Sequence, residues 1–459
     1  MPKKVMFDTP KEFLVNDEKL TEEQLDKQVN PYLVSSKLAN PLAKIAPSPK
    51  ELAQDIGQTP KLVRVGRPLR HVKHKPTKEI TFVNNQIFPK GANYSKIKFP
   101  LKPNTMIIHV KYFAINPIDI KIWNYYTADL TGANKGFGRE FSGEVYQVAD
   151  NMDGSLSYNP NAKDFKPGDH VCGLYYHLFA KGCSASHILV DLTKDPIALI
   201  DQVTYNIFND QKLAGWCYNF LTAFQVLNSI TAGGLNSEST ILINGASTST
   251  GLMTMQILKN YFHVSNIVGI CSGTAAPLAQ KCGASVIVDY KKEADVIKSL
   301  AELLSNGKKT ILDRFGNEIE VLYPDKKFDL VIDFLGGEKI LKANKQLMNE
   351  KTSTYLTIVG PKKADYKSKN FVWKNDSLSV LGNYVPWGGP GVYYKYVAFN
   401  NGDVKGMNKL LRTGVEMIKQ GQMVVEINSV FDFNHINKAM DKVKTQHALG
   451  KVLIECEDF

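Results

Sequence analysis

The chain has 459 residues, 43% hydrophobic and 22% charged, a composition that excludes a disordered or collagen-like protein and leaves room for two or three cored domains. No apolar run approaches the ~18 residues of a bilayer span, and the start MPKKVMFDTPKEFLVND has no signal-peptide core. The net charge of +11 is unevenly spread: residues 61–78, KLVRVGRPLRHVKHKPTK, hold seven Lys/Arg and no acid.

Residues 1–78 read as a polar, Pro-punctuated extension with a basic end. From 79 to 205 come short strand patterns: EITFVNN, TMIIHVKYFAIN, FSGEVYQVAD, DHVCGLYY and SASHILVD, separated by Gly, Pro and Asn turns. This is a β-rich domain. From 206 to 389 strands and helices alternate. STILING leads into the helix pattern TSTGLMTMQILKNYF, then come NIVGIC, AAPLAQKCG, SVIVDY, FDLVIDFLGG and TYLTIVG. That alternation predicts a doubly wound parallel sheet with helices on both faces, an α/β architecture. Residues 305–327 read as a polar insertion. Within 390–459, FNHINKAMDKVKTQHALGKVLIE reads as helix, turn and strand, completing the β-rich domain. The six cysteines show no C-x-x-C pairing, which points to reduced, intracellular thiols.

The stretch ILINGASTSTG (241–251) carries the first chemistry. A strand, a Gly-rich turn and a helix start form the setting of a dinucleotide fingerprint. Gly245 permits the tight turn, Gly251 permits close helix–strand packing, and the helix start offers free N–H groups to a pyrophosphate. The middle position, where a glycine lets the backbone approach phosphate, is Thr248. Ser247, Thr248, Ser249 and Thr250 supply four hydroxyls in exchange. The competing reading is a purely structural turn. A nucleophile elbow fits less well, since Ser247 lies in G-x-S-x-S. No acid stands at the end of the second strand, GICSGT, where one would bind a ribose 2′-hydroxyl. Ser272 and Thr274 are neutral there, which leaves room for a 2′-phosphate and favours NADP.

Several motifs in order, VKYFAINPIDIKIW (110–123), GFGREFSGEV (136–145), FKPGDHVCG (165–173), NGASTSTGLMTMQILK (244–259), GASVIVDY (283–290) and LGKVLIE (449–455), resemble the medium-chain dehydrogenase/reductases. The resemblance covers about residues 79–459 and is strongest to the zinc-free quinone-oxidoreductase and enoyl-reductase branch. It implies a GroES-like β-rich domain beside a Rossmann domain. Some fungal enoyl reductases of the superfamily carry a similar GGSTAT loop and use NADPH, so Thr248 is compatible with a cofactor. A narrower resemblance, in GREFSGEV, GLYYHLFAKGCSASHILVD and the polar extension, is to the fungal AST proteins, implicated in delivering a plasma-membrane proton pump.

Residue by residue, the resemblance implies the following. The zinc-using relatives have Gly-His-Glu where this chain has Gly138, Arg139 and Glu140, and a Cys where it has the run Ala114, Ile115, Asn116 and Pro117. Two expected ligands are missing, so no catalytic zinc is expected. Asn116 and Asp119 match the branch's active-site motif, with Asn116 orienting a quinone, enone or the nicotinamide; the alternative is an Asx turn locking the strand end. Thr127 stands at the offset of a proton-donating Tyr, with Tyr125 and Tyr126 nearby. Ser272 matches a 2′-phosphate binder, Tyr290 a residue packing on the adenosine phosphate, and Lys451 a residue reaching the cofactor. Gly360 lies at a strand's carboxyl end, where such sheets place the nicotinamide. WGGPG (387–391) is a pocket loop or a turn.

Two functions follow: an NADPH-dependent reductase of quinones or conjugated enones, and an AST-type protein that keeps the fold to bind a membrane-protein cargo. The basic segment 61–78 suits an anionic membrane surface, worth ~1 kcal/mol per cation near it, or is a solvated linker. Nucleic acid is not expected, because stacking aromatics are absent from the segment. The expected location is the cytoplasm or, peripherally, a membrane, and a homodimer matches the habit of the relatives.

Overall fold

The structure, a computed structural model, describes residues 101–125, 137–153, 159, 164–176, 182–185, 187–230, 234–312, 318–324, 326–363, 366 and 392–456. The extension 1–78, its basic segment 61–78, the strand pattern EITFVNN, Tyr126, Thr127, the side chain of Tyr125 and the WGGPG loop lie outside these residues. What is described forms two compact units, each taken by itself.

The β-rich unit runs to Tyr218 and takes in Asn401–Gly421 and Val425–Phe459. Its central strand, β1 (Thr105–Ile115), pairs antiparallel with β2 (Glu140–Val148) and with β4 (His187–Asp191). β3 (His170–Leu174) lies beside β2, and β5 (Ile197–Ile200) beside β3. Successive side chains of β1, Met106, Ile107 and Ile108, are all fully buried. Because neighbours on a strand point to opposite faces, both faces of this strand are covered.

The second unit holds Asn219–Asn400 and Gln422–Val424. Its strands are β6 (Thr240–Asn244), β7 (Asn266–Cys271), β8 (Val286–Asp289), β11 (Leu330–Asp333), β12 (Thr354–Thr357) and β13 (Tyr393–Tyr396). All run parallel in the order β8-β7-β6-β11-β12-β13, the doubly wound order with its switch point between β6 and β11. Strands covered on both faces should be continuously apolar, and ILI of β6, IVGI of β7 and LVI of β11 are buried throughout. One face packs against Leu300 and Leu303 of the helix Val296–Asn306, each worth roughly 2 kcal/mol of burial. That helix is capped by the Asp295 carboxylate, which accepts from the Ile297 and Lys298 N–H groups, and it ends at Gly307 in the left-handed region.

The polar insertion expected over 305–327 contains an antiparallel pair, β9 (Lys308–Leu312) and β10 (Glu318–Leu322). KKTIL and EIEVL mix β-branched residues with charges, so polarity masked the strand pattern.

The chain then returns to the first unit. The helix Val404–Lys419 buries Val404, Met407, Leu411, Val415 and Ile418, a helical stripe, and its Asn408 side chain accepts the Ile197 N–H at 3.0 Å. After β14 (Ile427–Asp432) and the helix Ile436–Lys444, β15 (Lys451–Glu455) lies parallel to β14 and antiparallel to β1, with Val452 opposite Ile115. This register brings Lys451 beside Asn116.

Candidate functional site

In the parallel-sheet unit, β6 ends at Asn244 and the chain turns at Gly245, whose φ is +86°. A Cβ there would stand 2.8 Å from Leu335 Cγ, so both conformation and space demand glycine. A Cβ on Gly251 would stand 2.3 Å from the Gly245 carbonyl oxygen. The two glycines therefore let the start of the helix Ser249–Asn260 close onto the strand end.

Thr248 is the N-cap of that helix. Its hydroxyl accepts the Gly251 N–H at 3.0 Å and donates to the Gly245 carbonyl at 2.7 Å. Thr250 donates to Asn219 Oδ1 at 3.2 Å. Two of the four hydroxyls are thus spent on the fold, while those of Ser247 and Ser249 make no hydrogen bond among the described residues. Ser249 and Thr250 occupy the first two helical positions, whose N–H groups have no carbonyl partner within the helix. The residues that fit a pyrophosphate are these two N–H groups and the Ser247 and Ser249 hydroxyls.

The switch point is held by a carboxylate that the sequence analysis did not single out. Asp333, at the end of β11, is fully buried. Its oxygens accept from Asn244 Nδ2 at 2.7 Å, from the N–H groups of Leu335, Gly336 and Gly337 at 2.6–3.0 Å, and from the Tyr355 hydroxyl at 2.9 Å. Burial pushes its carboxyl up, and the Leu335, Gly337, Tyr355 and Asn244 donors pull against that. The Asn244–Asp333 bond ties the carboxyl ends of β6 and β11 together. On the next strand, Gly360 turns the chain at φ +82°, with its N–H bonded to Thr357 Oγ1 at 3.0 Å. Gly245 and Gly360 thus keep backbone, rather than side chain, at the edge where a doubly wound sheet receives its ligand.

At the end of β7, Ser272 Oγ and Thr274 Oγ1 bond each other at 3.0 Å. Beside them stands Asp289, the last residue of β8, in register with Cys271. The second strand ends without an acid, and this one comes from the third. Tyr290, next in the chain, is 45% exposed.

In the β-rich unit, Asn116, Asp119, Arg139, Glu140 and Lys451 are all at most 3% exposed and form one polar cluster. Lys451 Nζ donates to Asn116 Oδ1 at 2.7 Å and to Glu140 Oε2 at 2.8 Å. Asn116 Nδ2 donates to the same Glu140 oxygen at 3.0 Å, and Glu140 Oε1 accepts the Tyr218 N–H at 2.8 Å. Asp119 Oδ2 accepts the Asn116 N–H at 2.8 Å, and its other oxygen lies 3.5 Å from Arg139 Nη1. Burial pushes the Asp119 carboxyl up to about 6, against the pull of Arg139. Asn116, Asp119 and Lys451 therefore come together, with Glu140 at the centre. Glu140 was visible in the sequence only as part of the motif weighed for zinc.

Zinc does not fit this cluster. The position matched to a His ligand holds the Arg139 guanidinium, a fixed buried cation that repels a dication.

A family model described as the zinc-binding dehydrogenase matches residues 282–454, and one described as the alcohol dehydrogenase GroES-like domain matches residues 102–190. Among curated proteins the chain is 32% identical over 435 residues to the protein AST2 of Saccharomyces cerevisiae, covering 90% of this chain and 95% of that one. Among solved structures it resembles the CurK enoyl reductase (TM-score 0.55, 17% identity, 79% of this chain and 94% of that one). It also resembles the quinone oxidoreductase of Coxiella burnetii (TM-score 0.53, 17% identity, 79% and 94%).

Proposed function

Because the chain belongs to the medium-chain dehydrogenase/reductase superfamily, whose fold holds a nicotinamide cofactor, we propose that it is a zinc-independent reductase of quinones or conjugated enones. The observation that carries this is the turn at Gly245, which delivers a capped helix start to the carboxyl edge of a doubly wound sheet. The bound dinucleotide would supply a hydride. The chain's own residues bind and orient: Ser249 and Thr250 present N–H groups to the pyrophosphate, and Gly360 leaves room at the next strand end. Asn116 and Asp119 act as positioning residues, because the Asn116 amide is already bonded to Glu140 and Lys451. The likenesses to an enoyl reductase and a quinone oxidoreductase support the substrate class.

The test is consumption of NADH or NADPH by the purified full chain with a panel of quinones and enones. Turnover that depends on the acceptor supports the reading. Dinucleotide binding without turnover on any acceptor removes the catalytic part of it.

A second reading is favoured by the likeness to AST2 along 90% of this chain: a peripheral membrane protein that keeps the fold to bind a membrane-protein cargo. No helix among the described residues is long and apolar enough to cross a membrane, and the seven Lys/Arg of the segment 61–78 suit an anionic leaflet. Capture by phosphatidylserine liposomes, lost when Arg64, Arg67, Arg70, Lys73 and Lys75 become Gln, supports it; equal capture by neutral liposomes removes it.

A further inference from the structure

We propose that Asp289 reads the adenosine ribose of the bound dinucleotide, accepting a free 2′-hydroxyl and turning away a 2′-phosphate, so that the chain takes the NAD form in preference to NADP. This rests on the dinucleotide reading above and reverses the preference that the second strand suggests on its own.

Three observations carry it. The first is placement. β7 and β8 are parallel neighbours, and Cys271 and Asp289 close their pairing. Asp289 therefore stands at the carboxyl edge, one strand beyond the place where a ribose-binding acid is usual.

The second is proximity. Gly273, in the turn after β7, passes so close that a Cβ on it would lie 2.5 Å from Asp289 Oδ2. A side chain at 273 would push against that oxygen, so glycine leaves it undisturbed beside the turn. The charge is felt there: the Cys271 thiol is pushed up to about 12, first by burial and then by Asp289.

The third is the state of the carboxylate. Oδ1 accepts the Lys291 N–H at 3.0 Å, which fixes the side chain. Oδ2 accepts no hydrogen bond among the described residues, and no Lys or Arg among them forms an ion pair with Asp289. Ser272 and Thr274 bond each other and bring no positive charge. A ribose 2′-hydroxyl is a donor matched to a lone carboxylate oxygen, and such charge-assisted bonds are the strong ones. A phosphate dianion at the same place meets the negative charge of Asp289, with which the exposed Lys291 and Lys292, two and three positions on, form no ion pair among the described residues.

The experiment is a titration of the full chain with NADH, NADPH, ADP-ribose and 2′-phospho-ADP-ribose, using wild type and Asp289→Asn. Wild type should bind NADH at least tenfold more tightly than NADPH, and ADP-ribose more tightly than its 2′-phosphate. Asp289→Asn, which keeps an acceptor for the Lys291 N–H, should bring the two cofactors within about threefold of each other, mainly by improving NADPH. Tighter binding of NADPH by wild type, or an unchanged ratio in Asp289→Asn, overturns the proposal and leaves the dinucleotide reading standing. Binding of none of the four ligands overturns both. If Asp289→Asn does not fold, the wild-type ratio of the two ADP-ribose compounds decides.

Discussion

Lys451 and Asn116, 335 positions apart, share a buried hydrogen bond of 2.7 Å across the pairing of β15 with β1. The same ammonium bonds Glu140 at 2.8 Å, so one cation holds together three segments of the β-rich unit. A buried ion pair broken on one side leaves an uncompensated charge, which costs about 3–5 kcal/mol.

Lys451→Met should therefore lower the unfolding free energy by about 3–5 kcal/mol. The double variant with Glu140→Gln should recover a substantial part, because the orphaned carboxylate is then neutral. Urea unfolding of the two single variants and the double variant reads the coupling. A Lys451→Met protein of unchanged stability that has lost dinucleotide affinity would instead make Lys451 a cofactor ligand, as its sequence match suggested.

A second expectation concerns acid. His109 on β1 and His187 on β4 stack with ring centroids 4.8 Å apart, and the Tyr146 ring meets His187 edge-on. Burial holds His109 down at about 4, with Lys111 adding to the effect and Asp210 opposing it. Burial holds His187 at about 3, with His109 and Lys111 adding. Both are depressed below the ordinary 6.5, so below that pH the unfolded chain binds protons that the folded pair refuses. The stability is fully present above pH 6.5 and drains as pH falls toward 4, at about 1.4 kcal/mol per pH unit for each ring. Between pH 7 and 4.5, His187→Gln should lose about 2–3 kcal/mol less than wild type. Parallel losses in the two proteins would mean that the pair does not titrate as described.

Thr248 gives a third. Its hydroxyl caps a helix through Gly251 N–H, so Thr248→Val should cost about 1 kcal/mol and Thr248→Gly only a few tenths. Thermal melts of both variants, with Thr248→Ser as a control near wild type, check the order. If Val and Gly variants melt together with wild type, the cap contributes nothing.

Much of this was legible in the sequence, and what was missed has physical causes. Apolar runs such as ILI and LVI announce strands buried on both faces, and the glycines at 245 and 251 announce the turn between them. The tail pattern reads as helix, turn and strand, and its strand KVLIE pairs with β1. Asp289 was missed because its neighbour is set by lateral pairing: Cys271 and Asp289 are eighteen positions apart in sequence and adjacent in the sheet. Asp333 and Glu140 were missed for the same reason, since a buried carboxylate is recognised by its donors, and those come from Tyr355, Asn244, Lys451 and Tyr218. Thr248 was read as a departure from a glycine pattern; its capping bonds show what the hydroxyl does for the helix.

If the helix start at Ser249 holds the pyrophosphate of a dinucleotide, Ser249→Glu must weaken its binding. An acid at the first helical position favours the helix by about 0.3–1 kcal/mol, while its charge opposes a pyrophosphate at the same N–H groups. Titration of the full chain with NADH and NADPH, alongside a thermal melt, separates the two effects. Wild type should bind a dinucleotide, and the variant should melt no lower yet bind at least tenfold more weakly, about 1.4 kcal/mol. Equal affinity in wild type and Ser249→Glu, or no binding by wild type, would contradict the account.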